Sequence, residues 1–279
     1  MADDSRKRSQ SNSAPIISVK NVTKTFPTPH GPVEVLKGIT FDVKRGETVC
    51  VLGGSGGGKS TLLKIMIGAI PATSGEVWID GENIVGMKER DLNRIRRKFG
   101  VLFQSGALLN SMTVGENVAL PIEMHTKQAP ETIEIMVKVK LEQVGLRAAF
   151  DLLPSEISGG MQKRAALARA IALDPKIVFY DEPSAGLDPI ATAAIDELIN
   201  DLKTKMGMTN VVVTHVMESV RRIADKVVML DKGNVLLYGT LDDLLNSDDP
   251  RVRKFVNGEV DALAAESEAY SSFLQDLMV

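Results

Sequence analysis

The stretch Gly53 to Thr61 reads GGSGGGKST, directly behind the apolar run ETVCVLG and directly ahead of the helical pattern STLLKIMIGAI. Gly53, Gly58, Lys59 and Ser60 fall at the defining places of a phosphate loop, and strand, loop, helix is the context that motif requires. Gly54, Gly56 and Gly57, with Ser55 among them, leave the backbone bare, so that N–H groups can converge on a polyphosphate at a helix N-terminus. Lys59 is expected at the β and γ phosphates and the Ser60 hydroxyl on Mg²⁺, with Thr61 beside them. A chain carrying this feature is committed to an α/β fold in which a buried strand feeds a helix.

The rest of the composition narrows what such a core can serve. At 279 residues and 44% apolar content the chain can bury a proper core. A net charge of -3 gives no basic field for wrapping nucleic acid. The opening residues MADDSRKRSQSNSA are polar and lack the apolar centre of a signal peptide, and residues 1–15 read as a disordered lead-in. No apolar run approaches the roughly 18 residues of a membrane-spanning helix, so any membrane role is borrowed from a partner. The single cysteine, Cys50, lies inside TVCVL and reads as a reduced core thiol.

β-rich runs PIISVKNVT and VLKGITFDV come first, and GEVWIDG follows the phosphate loop as a hairpin-like run. After the charged segment Lys88 to Lys98 and the strand candidate FGVLFQ, the pattern from Val114 to Leu153 turns helical. Strands resume at KIVFYD and NVVVTH, alternating with helices as a parallel sheet requires. KVVML and VLLYG, around Asp231 to Asn234, read as a closing hairpin. His30 and His125 have no partners at ligand spacing, so no metal site is expected beyond nucleotide-bound Mg²⁺.

Two further motifs carry chemistry. IVFYDE sets Asp181 and Glu182 at the carboxyl end of a buried strand, where sheet ligands bind. Asp181 is expected to hold Mg²⁺, directly or through its shell, and Glu182 to polarise the attacking water as general base. In SGGMQKR, Ser158 is an N-cap, while Gly159 and Gly160 bare the backbone ahead of the helix AALARAIAL. That makes a second anion site in a chain whose phosphate loop already serves one nucleotide, which suggests a γ phosphate supplied by another subunit.

In order and spacing these motifs resemble the ATP-binding cassette (ABC) ATPases, with Gln104, Asp188 in SAGLD and His215 in VVVTH filling the remaining places. The similarity runs from about Ile17 to Gly239. It implies a P-loop NTPase core of the RecA-like type, an antiparallel β subdomain and a helical insertion at about 105–165. The cassette would then occupy 16–240, with a helical extension over 241–279. The resemblance further implies that Gln104 senses the γ phosphate and shares in the Mg²⁺ site. His215 would contact the γ phosphate and attacking water, and Asp188 would work across a dimer interface. Phe26 fits the adenine-stacking aromatic, with a core side chain as the alternative.

Met161 stands where the wider family usually has glutamine, and Gly54 and Gly57 stand where proline and a small polar residue are common. The wording around Met161, with FQSGALLNSMTVGENVALPIEMHT and DPRVRKFVNG, resembles the ATPases of Mla/Mce-type phospholipid transport systems. That resemblance implies ATP and Mg²⁺ as cofactors and a second copy of the chain as partner. It also implies integral permease subunits docking on the helical insertion, an Mce-type substrate-binding protein and a small accessory subunit. The place of work would be the cytoplasmic face of a bacterial inner membrane. An importer for another small substrate is the alternative. A soluble cassette acting on ribosomes or DNA is disfavoured, because no second cassette and no long coiled coil is visible. Arg94 to Lys98 reads as a solvated helix face, or less readily as a seat for lipid headgroups. The tail from Val260, with Leu263, Tyr270, Phe273 and Leu274, packs on a neighbouring subunit or on its own.

Overall fold

Strands β1 (Ile17–Thr28) and β2 (Gly31–Val43) pair antiparallel, Ile17 opposite Val43 and Thr28 opposite Gly31. With β4 (Ser74–Ile79) and β5 (Glu82–Asn83) they form a sheet of order β2-β1-β4-β5. A second sheet contains β3 (Thr48–Gly53), β6 (Phe99–Leu102), β7 (Ile177–Asp181), β8 (Thr209–Val213), β9 (Lys226–Asp231) and β10 (Asn234–Gly239). Its order is β10-β9-β3-β8-β7-β6, parallel throughout except for β10, which closes it as an antiparallel edge. This is a computed structural model, and it describes residues 14–29 and 31–259. His30, the lead-in before residue 14 and the tail expectation from Val260 onward lie outside the described residues.

Every residue of β3 and β8 is buried, which is why these runs read as continuously apolar rather than alternating. Alternate side chains of β3 go to opposite faces. Val49 and Val51 join the core against the antiparallel sheet, with Ile17, Leu36, Ile39 and Leu62. Cys50 and Leu52 join the core under the helices, with Val118, Leu167, Ile195 and Val220. Burial pushes the Cys50 thiol well above its ordinary range, as suits a reduced core residue.

The helices are α1 (Lys59–Met66), α2 (Glu89–Arg96), α3 (Val114–His125), α4 (Pro130–Gln143), α5 (Gly159–Ala170), α6 (Pro189–Met206), α7 (Met217–Ile223), α8 (Leu241–Leu245) and α9 (Pro250–Asn257). The insertion after β6 consists of α3, α4 and two short 3₁₀ turns, and α5 leads back to the sheet at β7. Thr113 and Glu116 form a capping box that starts α3. Fully buried Asn117 fixes the loop ahead of it, accepting from Leu109 N at 2.8 Å and donating to the carbonyls of Leu109, Met112 and Thr113. The carboxyl-terminal stretch supplies α8 and α9 before the described residues end.

The β9–β10 turn places Lys232 and Gly233 at φ 46° and 83°, the two positive values a tight hairpin turn of the primed type demands. This turn is tucked against the other sheet. Lys37 N donates to Gly233 O at 2.8 Å, and the Tyr238 hydroxyl donates to Asp42 O at 2.6 Å. A Cβ on Gly233 would lie 2.4 Å from the Val35 carbonyl oxygen, so glycine is required by approach as well as by φ.

The charged run Lys88 to Lys98 turns toward its own acids. Arg94 pairs with Glu82, and Lys98 donates to Asp80 at 3.3 Å and to Glu82 at 2.9 Å. Arg96 pairs with Glu89 and donates to Gly68 O at 2.8 Å. These three cations are engaged within the fold.

Candidate active site

Glycine dictates the shape of the phosphate loop. Gly53, Gly56 and Gly58 sit at φ 142°, 71° and 99°, outside the range ordinary side chains adopt. Gly57 N donates back to Gly54 O at 3.2 Å, rounding the turn, and α1 begins at Lys59. Gly54, Ser55, Gly56 and Ser60 are exposed and Thr61 is half-buried, so the cradle faces solvent. The Lys59 ammonium donates to the carbonyls of Gly53 and Gly54, both at 2.8 Å, across the loop mouth. Burial draws its pKa below the ordinary lysine value, while Glu182 and Asp181 pull the other way.

Those acids stand at the end of β7, two strands from β3, as the phosphate loop and a buried strand end require. Glu182 adopts φ 48°, a left-handed value uncommon for a residue with a Cβ, and its N–H donates to Val213 O at 2.9 Å. Its Oε1 lies 3.0 Å from His215 Nδ1, on the loop after β8. Its Oε2 is buried and has no partner. An orphaned carboxylate oxygen in a folded site calls for an explanation, and a bound water is the simplest. Asp181 has its pKa raised by burial first and by Glu182 second, with Lys64, Lys59 and Lys163 opposing. It shares a cleft with Phe103, Gln104, Ser105 and Gly186. Ser60, Asp181 and Gln104 are all oxygen donors, the set a hard divalent cation takes. Among the described residues no group of three or more His, Cys, Asp or Glu is placed to hold a metal.

Ser158 caps α5 as expected, its Oγ accepting from Met161 N at 3.3 Å, and Ser158 and Gly159 are exposed. Gly160 is half-buried, and the Met161 side chain packs against the helical core. Asp188 caps α6, accepting from Ile190 N and Ala191 N at 2.9 Å each. The two caps border one cleft of about 450 Å³, with Gly186 and Leu187 between them. Phe26 is apart from this group: half-buried on β1, it has the Lys24 ammonium 4.8 Å from its ring centroid.

Two site neighbours escaped the sequence reading. Lys163 donates to the Gln104 carbonyl, and Arg169 donates to Ala107 O at 2.8 Å and Gly106 O at 2.9 Å. Burial holds the pKa of Lys163 below the ordinary lysine value, with the charges of Asp181 and Glu182 pulling it upward. Only its place in a helix after a glycine-rich cap could have singled it out, and that place gives no direction for its side chain.

A glycine-shaped loop opening a helix, fed by a central parallel strand and faced by strand-end acids, defines a phosphate-loop nucleoside triphosphatase. Residues 36–185 match the family model described as ABC transporter, and the chain belongs to that family as an ATP-hydrolysing cassette. The intermembrane phospholipid transport system ATP-binding protein MlaF of Haemophilus influenzae is 43% identical over 246 residues, which is 88% of this chain and 92% of that protein. MlaF of Escherichia coli is 43% identical over 81% of this chain and 84% of its own length. The probable ribonucleotide transport ATP-binding protein mkl of Mycobacterium leprae is 43% identical over 87% of this chain and 69% of its own. Among solved structures, the ATP-binding cassette MJ0796, a dimer in a post-hydrolysis state with ADP and Pi, superposes with a TM-score of 0.75 at 34% identity. That match covers 81% of this chain and 98% of that one. Cassettes of this family pair with one another and with membrane permeases.

Proposed function

We propose that this chain is the motor subunit of a machine that moves phospholipid between membranes, and that Glu182 is its general base. The observation that carries the chemistry is the buried, unpartnered Oε2 of Glu182, aimed from a strained backbone beside the phosphate loop. In this reading Lys59 trades a loop carbonyl for the β and γ phosphates, a small swing of an ammonium already at the mouth. Water attacks the γ phosphorus, its proton passes to Glu182, and the bond to the β–γ bridging oxygen breaks, leaving ADP and phosphate. His215 holds the carboxylate through Nδ1 and faces the γ phosphate with its other nitrogen, while Gln104 closes the far wall. Mg²⁺, held by Ser60, Asp181 and Gln104, offsets charge on the β and γ phosphates when bound.

Head-to-tail pairing supplies the remaining contacts. The cap of Ser158, Gly159, Gly160 and Met161, exposed at its first two residues, meets the nucleotide of the other copy, and Asp188 crosses the same interface. Phe26 stacks on adenine. Beside the insertion runs a groove of about 600 Å³ lined by Phe103, Leu120, Pro121 and Met124, with Met124 68% exposed, which suits a cytoplasmic helix of a permease. No helix among the described residues is long and apolar enough to cross a membrane. In this reading the chain works at the cytoplasmic face of a bacterial inner membrane through its permease, with an Mce-type substrate-binding protein and a small accessory subunit completing the complex, as the likeness to MlaF suggests.

Glu182→Gln tests the chemistry: phosphate release falls about a hundredfold or more while ATP still binds and drives stable dimers in light scattering. Ordinary turnover in that variant removes Glu182 from the role of base. The cargo is tested by reconstituting the chain with its copurifying permease and following a fluorescent phospholipid between vesicles. A second cargo, ribonucleotide, is favoured by the identity to mkl. ATP-dependent uptake of labelled ribonucleotide with no lipid movement would establish it instead.

A further inference from the structure

Lys163 takes no part in the chemistry above, yet its ammonium is not where a surface lysine keeps one. The residue is 7% exposed, and Nζ donates to the main-chain carbonyl of Gln104. On the same helix α5, Arg169 holds the next carbonyls of that loop, those of Gly106 and Ala107. Gly106 and Ala107 lie at φ 73° and 50°, so the loop adopts a left-handed turn that alanine does not favour and that these charged donors maintain. Five residues before Lys163, the cap at Ser158 is exposed at the opposite end of the same rigid segment. Gln104 itself is exposed into the cleft it shares with Asp181.

We propose that Lys163 is a positioning residue that ties Gln104 to the amino end of α5. A nucleotide of the second copy bound at Ser158 thereby sets the pose of Gln104 in this copy's own site. The proposal rests on the head-to-tail reading given above. It makes α5 a link between two nucleotides: one is felt by the hydroxyl at its start, the other by the loop held from its second turn. A lysine serving only to pack would bury its stem and leave the ammonium in water. Here the ammonium is buried on a loop that enters the site.

A double-mutant cycle in the full chain tests this, using Ser158→Ala, Lys163→Met and the double variant, with phosphate release against ATP concentration and thermal melting. Each single change is expected to lower kcat about tenfold while moving KM for ATP less than about twofold, and the double to fall little below the worse single. Unaltered kcat in either single variant, or a loss in the double of about a hundredfold, the product of the two, overturns the link. A merely structural Lys163 would instead lower the melting temperature and shift KM together with kcat, which also overturns it. If Lys163→Met does not fold, Lys163→Gln, an uncharged donor of shorter reach, is carried through the same cycle with the same outcomes decisive. Failure of the head-to-tail reading shows separately, as Glu182→Gln chains with Lys163 intact that do not dimerise on ATP.

Discussion

At Gly53 the chain admits no other side chain. A Cβ there would lie 2.2 Å from the Leu230 carbonyl oxygen, and φ 142° is itself closed to L residues. Both obstacles are backbone, so nothing nearby can yield cheaply. Gly53→Ala is expected to cost about 2–3 kcal/mol of stability and to weaken ATP binding at least about tenfold, read by melting and by nucleotide titration. At this scale the sequence was most informative where the chemistry is local. Gly53 to Thr61, Asp181–Glu182 and the Ser158 cap are each a few consecutive residues whose types state their purpose. The pairing of Glu182 with His215 spans 33 positions and that of Lys163 with Gln104 spans 59, and no local pattern encodes either. Family resemblance anticipated a role for His215 and was silent on Lys163, because a lysine in a helix gives no sign of which way it turns.

Among the elements, the antiparallel β4–β5 hairpin is joined to α2 by charge. Its Glu82 accepts from both Arg94 and Lys98, and these bonds hold its carboxyl down to about 2. A carboxyl lowered in the folded state stabilises the fold above its unfolded value, and that contribution fades as pH falls toward the folded value. The melting temperature of the parent chain is therefore expected to exceed that of Glu82→Gln at neutral pH, with the gap closing between about pH 4.5 and 2. An equal gap at both ends of that range would show the pair contributes nothing through charge. The hairpins themselves were readable, since turn residues and alternation are local signals. The order β10-β9-β3-β8-β7-β6 was not, because it depends on which crossover helix covers which face. In sequence, basic Arg94 to Lys98 reads as a solvated face, and only the fold shows the acid that Arg94 and Lys98 share.

For the whole molecule, the working unit should be divisible by mutation. Lys59→Ala empties the chain's own phosphate site of its cation, and Ser158→Arg fills the cap that serves the other copy's nucleotide. Each variant alone is expected to lose ATP hydrolysis by about a hundredfold. Mixed in equal amounts, they form some pairs in which one composite site has Lys59 and Ser158 both intact, and part of the activity returns. No recovery in a mixture that still forms dimers would argue that each chain hydrolyses ATP unaided. Gly233 bears on how such a pair does work. With Lys37 bonded to Gly233 and Tyr238 to Asp42, the two sheets are riveted into one frame, and the insertion joins that frame at two places, residues 103–107 and the end of α5, which Arg169 ties to each other. In mechanical terms the cassette is a chassis carrying the insertion on two coupled mounts. A stroke that moves one of them has to move the other.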